Sequence, residues 1–405
     1  MSEKIIVQKF GGTSVGSPER IKAVADRIKS YVDNDYKVIV VVSAMGDTTD
    51  HLIDLAQKIC TKPSAREMDM LLSTGEQVSI SLLAMALHEI KIEAVSFTGS
   101  QVKMITDGAH SNARIVSVDD KRLKNALEKH SVIVVAGFQG IDADENITTL
   151  GRGGSDTSAV ALAAALGVRD CEIYTDVDGV YTADPRVVGG ARKLNEISYD
   201  EMLELARLGA GVLHSRSVEF GKKYNVRIHV RSSFNRNEGT IVKPREEMME
   251  KFTMSGVTSK SDEVKFNIYG IPDCPGIAQK IFTVLGEEKI YVNMIVQSTG
   301  KDGKADISFT VLKKDIDRVK AISEKVRTEL KGDEVTFQDN IAIVSAVGVG
   351  MLSSAGVAGK LFKILSDHNI NIQMISTSEI GISCVIDEMY AELAVKSIHK
   401  EFMEK

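Results

Sequence analysis

A chain of 405 residues is long enough for two to four domains, each with a hydrophobic core of its own. Hydrophobic residues make up 43% of it and charged residues 26%, proportions that are ordinary for a globular protein. The formal net charge of −6 argues against a nucleic-acid partner, because such partners favour a basic surface.

Secretion and membrane insertion are disfavoured as well. The cysteines lie more than 100 residues apart and form no CxxC pair, so neither a disulfide framework nor a cysteine-rich zinc site is expected of Cys60, Cys171, Cys274 and Cys384. The N-terminus, MSEKIIVQKFGG, lacks the apolar run and cleavage site of a signal peptide. No uninterrupted apolar stretch approaches the ~18 residues of a membrane span. We therefore expect a cytoplasmic protein with free thiols and no membrane contact.

Short apolar runs alternate with helical patterns through the first 230 residues. The predicted strands are Lys4–Phe10, Lys37–Ser43, Ser131–Ala136, Cys171–Thr175 and Val226–Val230. The predicted helices are Arg20–Val32, Ser79–Leu87 and Thr157–Leu166. Continuous rather than alternating apolar strands, with helices between them, indicate a mostly parallel α/β sheet that is covered on both faces. Ligands of such sheets gather at the loops that leave the carboxyl ends of the strands.

The chain changes character after this region. Residues 232–252 are polar and charged and contain Gly and Pro, which indicates a connection between domains. Beyond it, residues 276–298 recur as residues 356–378 at an offset of 80, with nine of 23 positions identical. Each copy shows a strand, a turn of small residues, an amphipathic helix and a second strand, the pattern of a ferredoxin-like unit. The turns expose backbone N–H groups at a helix start, which suits a carboxylate ligand, although two modules without a ligand are the alternative.

Two glycine-bearing turns are candidates for anion binding. KFGGTS at residues 9–14 directly follows the first strand; its glycines let the backbone approach a ligand, and Lys9 adds a compact positive charge. GRGGSDTS at residues 151–158 enters the alanine-rich helix, where Arg152 offers a planar fork for a carboxylate. Neither is a P-loop, since no Gly-Lys pair in the chain is followed by Ser or Thr. Plain turns, an N-cap by Asp156 and a solvated Arg152 are the structural alternatives.

Three further stretches carry polar groups at predicted strand or helix ends. SAMGDTTD at residues 43–50 suits a polar substrate, although its hydroxyls and carboxylates could also cap the next helix. STGE at residues 73–76 has the form of a capping box for a helix that follows it. TDVDGVYTADPR at residues 175–186 gathers the groups expected around a ribose, a base and a magnesium–phosphate unit, with a plain polar loop as the alternative. His214 has no metal-ligating partner at i+3 or i+4, which favours a structural role.

Together and in this order, KFGGTS, SAMGDTTD, STGE, GRGGSDTSA and TDVDGVYTADPR resemble the signatures of the aspartate kinases, within the amino-acid kinase family. The repeat is similar to a tandem of ACT domains, the usual regulatory module of these enzymes. The resemblance covers essentially the whole chain. It implies an α/β amino-acid-kinase fold with a mostly parallel central sheet, followed by two ferredoxin-like βαββαβ ACT domains. The absence of a GxGxxG fingerprint and of a homoserine dehydrogenase domain implies a monofunctional enzyme.

The resemblance also implies a division into domains. We expect a kinase catalytic domain at residues 1–245, a linker at 246–262 that contributes a strand to the second ACT domain, and ACT domains at 263–336 and 337–405. Met248, Met249 and Met254 leave open an internal start that would yield a separate regulatory chain.

Residue by residue, the resemblance implies the following roles. Lys9 would stabilise the phosphoryl group in transit, and Asp156 would organise that lysine. The aspartate site would use Arg152 for a carboxylate and Glu76 for the ammonium group, completed by Ser43, Thr49 and Ser155. The ATP site would comprise Lys9, Gly11, Gly12, Thr175, Asp176, Tyr181 and Arg186. Mg²⁺ would arrive with ATP, and no site formed by protein side chains alone is expected. A second phosphate-binding lysine is usual, with Lys222 and Lys223 as candidates.

ACT pairs in this family bind an end-product amino acid, commonly lysine or threonine, at dimer interfaces. A homodimer or tetramer formed through the ACT domains is therefore implied. The first candidate effector pocket comprises Asp273, Gly276, Ile277, Asn293 and Gln297. The second comprises Met351, Val357, Asn371 and Gln373.

The implied reaction is transfer of the γ-phosphoryl group of ATP to the β-carboxylate of L-aspartate, the first step towards lysine, threonine and methionine. A carboxylate with a free pKa near ~3.9 is already an ionised nucleophile, so no general base is expected. Catalysis should therefore rest on positioning and positive charge. A glutamate, N-acetylglutamate or nucleoside monophosphate kinase is one alternative, and a non-catalytic amino-acid sensor is another. Arg152 with Glu76 favours a zwitterionic amino acid as the substrate.

Overall fold

The computed structural model describes residues 4–248, 253–300, 303–349, 351 and 356–404. These residues form two compact units. Unit 1 takes the described residues within 1–181, 193–207 and 211–250, and unit 2 takes those within 182–192, 208–210 and 251–405. Met249, residues 250–252 of the predicted linker and residues 352–355 beside the second candidate effector pocket lie outside the described residues.

Unit 1 is an α/β fold. Its strands are β1 (Lys4–Phe10), β2 (Tyr36–Val42), β3 (Ala94–Phe97), β4 (Met104–Thr106), β5 (Ile115–Val118), β6 (Val132–Ala136), β7 (Gln139–Ile141), β8 (Ile147–Thr149), β9 (Asp170–Thr175), β10 (Glu196–Ser198), β11 (Arg227–Ser232) and β12 (Thr240–Lys243). Its helices are α1 (Pro18–Val32), α2 (Thr48–Ile59), α3 (Ala65–Glu89), α4 (Asp120–Leu127), α5 (Gly154–Leu166), α6 (Tyr199–Arg207) and α7 (Ser215–Tyr224).

The main sheet has the strand order β10-β12-β11-β9-β1-β2-β6-β3. Every neighbouring pair is parallel except β11 with β12. Strand β6, which lies next to the edge strand β3, is buried along its whole length, and β2 is buried from Val38 to Val42, which explains their continuous runs of Val and Ile. Helices α1 and α3 pack on one face of these strands. The alanine-rich α5 contacts β1, β2 and β9, so the predicted mostly parallel sheet is confirmed.

A second, smaller sheet in unit 1 has the order β5-β4-β7-β8. It is built from short strands on either side of β6 in the chain, and it ends at Thr149, just before the Gly-rich turn that enters α5. The small sheet therefore leads the chain into one of the two predicted anion-binding turns.

Helix α3 differs from the prediction. It runs for 25 residues and begins after Ser64, whose side chain accepts a hydrogen bond from Glu67 N. STGE at residues 73–76 lies well inside the helix, so the capping-box interpretation is wrong. By length and composition α3 could cross a membrane, yet half of its most apolar window is buried within the protein, as in a core helix.

Unit 2 contains two antiparallel sheets. Its strands are β13 (Thr253–Lys260), β14 (Glu263–Pro272), β15 (Val292–Thr299), β16 (Lys304–Leu312), β17 (Glu334–Gln338), β18 (Ile341–Val349), β19 (Met374–Ser378) and β20 (Gly381–Asp387). Its helices are α8 (Ile277–Glu287), α9 (Ile316–Leu330), α10 (Val357–Asp367) and α11 (Ala391–Met403). The sheet orders are β15-β16-β14-β17 and β19-β20-β18-β13.

The two sheets have corresponding layouts. Strands β14, β15 and β16 of the first match β18, β19 and β20 of the second, as the internal repeat predicts. The fourth place is filled by β17 in the first sheet and by β13, which precedes both repeats in the chain, in the second. The domain boundaries given above stay predictions.

Candidate active site

The candidate site lies where four adjacent strands of the main sheet end. In the order β9, β1, β2 and β6 these strands run parallel, so their carboxyl ends share one edge. Backbone hydrogen bonds join the turns that leave them: Gly11 N donates to Tyr174 O at 3.2 Å, and Ser43 N donates to Phe10 O at 3.2 Å. The predicted ligand-binding turns therefore converge, as expected for an open α/β sheet.

The turn after β1 approaches its neighbour so closely that only glycine fits. A Cβ on Gly12 would lie 2.8 Å from the Ala44 carbonyl oxygen, well inside van der Waals contact. Gly46 N donates a hydrogen bond of 3.1 Å to Gly12 O. The turns after β1 and β2 are thus locked together through their backbones.

Lys9 and Asp156 form the central ion pair of this edge. Lys9 Nζ lies 2.6 Å from Asp156 Oδ1, and the two side chains are only 11% and 12% exposed. Lys9 extends from the end of β1, and Asp156 lies in the first turn of α5, where the helix dipole favours a negative charge. The residue that caps α5 is Gly153, so the N-cap interpretation of Asp156 is wrong.

Glu76 points from the middle of α3 towards the turn after β2. Its Oε1 accepts a hydrogen bond of 3.1 Å from Ala44 N, and its Oε2 is buried without a hydrogen-bond partner among the residues that the structure describes. The residue is 3% exposed, and this burial raises the pKa of the Glu76 carboxyl from 4.5 to about 7. A buried carboxylate oxygen with spare bonding capacity is suited to receive a cation.

Hydroxyl groups from two turns meet beside this carboxylate-bearing helix. Ser43 Oγ donates to Ser155 Oγ at 3.1 Å, which links the end of β2 to the first turn of α5. A Cβ on Gly137, after β6, would lie 2.8 Å from Ser155 Oγ. Thr49 is half-buried in the first turn of α2. The structure thus brings Ser43 and Ser155 together.

Arg152 is exposed and makes no hydrogen bond or ion pair with any residue in the described parts of the chain. Its backbone, by contrast, is constrained on both sides. Gly151 and Gly153 have φ of +76° and +68°, in the left-handed region that favours glycine. The exposed guanidinium therefore has its donors available, and the turn that carries it has a left-handed residue on either side.

The loop after β9 is organised around a carboxylate that the sequence did not single out. Asp178 accepts hydrogen bonds from Tyr181 Oη at 2.7 Å and from Asn237 Nδ2 at 3.2 Å. The bond to Asp178 raises the pKa of Tyr181 to about 12. Thr175 Oγ1 donates to Asp176 Oδ1 at 2.9 Å. Residues 175–186 carry no local pattern that indicates this network.

Three cationic residues lie outside this cluster of contacts. Arg186 belongs to unit 2, where it forms an ion pair with Asp184. Lys222 pairs with Asp200 at 2.5 Å, and Lys223 lies over the ring of Tyr224. Neither lysine can be assigned as the second phosphate-binding group from these contacts.

His214 lies against the turn that carries Arg152. A Cβ on Gly153 would lie 2.2 Å from His214 Cβ and Cγ, so the ring is seated directly on this glycine. Burial lowers the pKa of His214, which favours the neutral imidazole. Gly153 and His214 are far apart in the sequence, so this contact could not be predicted from it.

The predicted effector turns of unit 2 have matching geometry. Gly276 and Gly356 precede α8 and α10 with φ of +94° and +93°, and a Cβ on either would meet nothing within 4 Å. The following residues, Ile277 and Val357, are buried in the hydrophobic cores of their own segments, and Met351 is buried with the second. The side chains of Ile277, Val357 and Met351 therefore pack in the hydrophobic cores of unit 2.

The polar residues of the effector prediction are placed differently. Asn293 Nδ2 donates to Glu263 Oε1 at 2.9 Å, and Gln373 Oε1 accepts from Lys265 Nζ at 3.2 Å. The backbone N–H of Asp273 donates a hydrogen bond of 2.8 Å to Gly303 O, next to the pairing of β14 with β16. The remaining two, Gln297 and Asn371, are exposed, and Asn371 borders an open groove at the end of α10.

Comparison with protein families matches this architecture. The model of the amino acid kinase family matches residues 4–232, and the model of an ACT domain matches residues 267–325 and 344–402. The first match includes every strand of the main sheet except β12, and all turns of the candidate site in unit 1. The second coincides with the two repeats.

Individual relatives match over nearly the full length. Aspartate kinase of Pseudomonas fluorescens (strain SBW25) is 52% identical over 98% of this chain and 97% of its own. Aspartokinase 2 of Bacillus subtilis (strain 168) is 49% identical over the same shares. The structure of E. coli aspartokinase III in complex with aspartate and ADP (R-state) has a TM-score of 0.83 and 25% identity, covering 99% of this chain and 100% of that one. The chain therefore belongs to the aspartate kinases of the amino acid kinase family, with two ACT domains following the kinase fold.

Proposed function

We propose that this chain transfers the γ-phosphoryl group of ATP to the β-carboxylate of L-aspartate, giving 4-phospho-L-aspartate. The observation that carries the proposal is the Lys9–Asp156 ion pair of 2.6 Å at the edge of the sheet where the Gly-rich turns converge. Full-length relatives named aspartate kinase support the choice of substrates. The reaction is the first step towards lysine, threonine and methionine, and we place it in the cytoplasm.

The acceptor carboxylate is ionised at neutral pH, so the chemical difficulty is to bring it to the anionic triphosphate. Lys9 supplies a compact positive charge to the phosphoryl oxygens as the charge spreads over them in the transition state. Asp156 holds the ammonium group in place before ATP binds and thereby reduces its freedom. No proton has to be removed from the nucleophile.

The amino-acid substrate is recognised at both of its charged ends. Glu76 accepts the α-ammonium group on Oε2, which is buried and unpaired among the described residues. Arg152 grips a carboxylate with two parallel hydrogen bonds, since its guanidinium has no partner among the residues that the structure describes. Ser43, Thr49 and Ser155 complete the polar wall. This arrangement favours a zwitterion over N-acetylglutamate, which lacks the ammonium group.

ATP binds at the ends of β1 and β9 in this proposal. The N–H groups of Gly11 and Gly12 approach the phosphates, and Thr175, Asp176 and Tyr181 line the nucleoside side. The role of Arg186 in ATP binding stays an expectation of the resemblance, because this residue belongs to unit 2.

Magnesium would enter with the nucleotide. In this proposal the ion is held mainly by phosphates and water, as is usual for magnesium at nucleotide sites. Mg²⁺ supplies neutralisation of the phosphate charge when it is bound. Asp176 is the carboxylate of the nucleotide loop that could join it through water.

Feedback control through the ACT domains is the regulatory part of the proposal. A structure of E. coli aspartokinase III contains lysine with aspartate (T-state), which supports an amino-acid effector here, lysine or threonine. The exposed glycine turns at Gly276 and Gly356, with Asp273, Asn293, Gln297, Asn371 and Gln373, are the proposed contact groups. A homodimer or tetramer formed through the ACT domains would complete the effector sites. An inhibitor must bind the inactive arrangement more tightly than the active one.

A hydroxamate assay tests the function directly, because hydroxylamine traps an acyl phosphate. ATP, magnesium and L-aspartate should give hydroxamate, whereas L-glutamate and N-acetylglutamate should give far less. Uridine monophosphate, whose phosphorylation forms no acyl phosphate, is tested by ADP release and should give far less ADP than aspartate. Lysine and threonine, added alone and together, should lower the rate with aspartate. Absence of any turnover would favour the non-catalytic sensor, and preference for another acceptor would favour a different amino-acid kinase.

A further inference from the structure

A buried carboxylate near the start of α3 has no part in the site described above. Asp69 is 0% exposed and accepts a hydrogen bond of 2.6 Å from Thr149 Oγ1 and one of 3.0 Å from Ser111 N. The His110 Nδ1 atom lies 2.9 Å from its other oxygen, Oδ2. A fully buried carboxylate is retained only where such donors satisfy it, so these contacts are specific.

Asp69 joins three separate segments of unit 1. Thr149 ends β8, Ser111 and His110 belong to the loop between β4 and β5, and Asp69 itself belongs to α3. The loop and β8 are also joined by their backbones, since Ala113 N donates to Thr149 O at 2.9 Å. The carboxylate therefore fixes the exit of the small sheet to a helix of the main core.

The turn that carries Arg152 starts where this junction ends. Leu150, Gly151 and Arg152 follow Thr149 directly. A Cβ on Gly151 would lie 3.0 Å from Ser111 O, so the turn rests on the loop that Asp69 holds. Thus the backbone before Arg152 is seated on groups bound to Asp69.

A second set of hydrogen bonds holds the same junction. Arg216 in α7 donates to Leu150 O and, at 2.7 Å, to Ala113 O. Arg152 itself makes no polar contact with the described residues, so its guanidinium is aimed by the backbone of its turn rather than by a side-chain partner. The alignment of Arg152 must then depend on what anchors that backbone.

We propose that Asp69 is a positioning residue for substrate binding: through Thr149 and Ser111 it sets the turn that presents Arg152 to the amino-acid carboxylate. The inference rests on the proposed function, because it takes Arg152 as the carboxylate-binding group. The guanidinium of Arg152 must make two parallel hydrogen bonds to the substrate carboxylate. Both bonds depend on its orientation, so a small displacement weakens binding strongly. Asp69 therefore affects the binding of aspartate and not the binding of ATP.

Steady-state kinetics of the full-length enzyme separate these effects. Asp69→Asn should raise the KM for aspartate by about tenfold while kcat and the KM for ATP stay within about twofold. The variant weakens the charge-assisted hydrogen bonds that support the Arg152 turn, and this turn binds aspartate but not ATP. Thr149→Val should have the same direction, and Thr149→Ser, which keeps the hydroxyl, should restore the wild-type KM. These Thr149 variants keep the test open even if Asp69→Asn fails to fold.

A matched control is available in the same small sheet. Asp142 is also buried, but its hydrogen bonds come from Asp144 N and Asn146 N within its own hairpin. Asp142→Asn should leave the KM for aspartate unchanged, whereas an equal rise there would reduce the effect to general loosening of the sheet and overturn the inference.

A double variant distinguishes positioning through Arg152 from a separate effect. In an Arg152→Ala background, which should itself have a raised KM for aspartate, Asp69→Asn should cause no further rise, because the group that it positions is gone. An additive rise would overturn the inference and leave the role of Arg152 intact. An unchanged KM in Arg152→Ala alone would instead overturn the carboxylate role given to Arg152 under the proposed function.

Discussion

Lys9 Nζ lies 2.6 Å from Asp156 Oδ1, although the two residues are 147 positions apart in the chain. The parallel pairing of β1 with β9 and the packing of α5 on β1 bring them together. The pair links the end of the first strand to the start of the helix that follows the second glycine-rich turn. It is the geometric basis for assigning a phosphoryl-transfer site to this edge of the sheet.

Removal of the Lys9 charge should impair chemistry more than binding. Lys9→Ala should lower kcat by about a hundredfold or more, because a preorganised charge at the transferring group is lost. The KM for ATP should change much less, and Asp156→Asn should have a smaller effect than Lys9→Ala because the ammonium group remains. Lys4→Ala, at the exposed start of the same strand, is the control. Turnover close to wild type in Lys9→Ala would remove this residue from the proposed role.

The affinity for aspartate should depend on the ionisation of Glu76. Burial raises the pKa of this carboxyl to about 7, so below that pH the free enzyme carries it protonated and unable to pair with an ammonium group. The KM for aspartate should therefore fall as pH rises through about 7, and Glu76→Gln should abolish this dependence while raising KM at high pH. Glu67→Gln in the first turn of the same helix should keep the wild-type profile. An unchanged profile in Glu76→Gln would contradict the assignment.

The same residue should shape the stability of the unliganded protein. Its pKa is raised from 4.5 to about 7 on folding, so between these pH values unfolding releases a proton. The contribution of Glu76 to the free energy of unfolding is thus fully present below pH 4.5. It is lost as pH rises to about 7, a decrease of about 3 kcal/mol from the shift in pKa. The Glu76→Gln variant should not show this pH-dependent decrease, because glutamine does not ionise. The difference in urea midpoint between wild type and variant, followed across that interval, should move in favour of the variant as pH increases.

The sheet and its ligand-binding edge could be predicted because their signals are local. The Val-rich runs of β2 and β6 are continuous and lack the polar positions of an amphipathic helix. The glycine-rich turns directly follow or precede apolar segments. The repeat predicted the matching strands and helices of unit 2 for the same reason. Bounds differed by a few residues: α5 begins at Gly154 rather than Thr157, because its first turn consists of the small polar residues that read as a loop.

The parts that the sequence did not reveal depend on contacts between distant residues. Glu76 fits a capping box locally, yet α3 has already begun at Ala65, and only tertiary packing shows that the carboxylate faces Ala44. Asp69 and His110 are 41 positions apart and carry no common motif. A single sequence records neither pairing, since any polar residue in a helix or loop reads as solvated unless its partner is known.

The glycine before α5 offers a test of how tightly the Arg152 turn is packed. Gly153 and Gly167 both have φ of +68°, so alanine at either position has to adopt a conformation that costs roughly 1 kcal/mol. At Gly167 a Cβ would meet nothing within 4 Å, whereas at Gly153 it would lie 2.2 Å from the His214 side chain. Gly167→Ala should therefore cause a small loss of stability with normal kinetics. Gly153→Ala should lose activity towards aspartate as well, because the ring or the turn must move. Thermal denaturation and the KM for aspartate, measured on both variants, check this expectation. Equal behaviour of the two would mean that His214 yields freely and that the turn is not held by it.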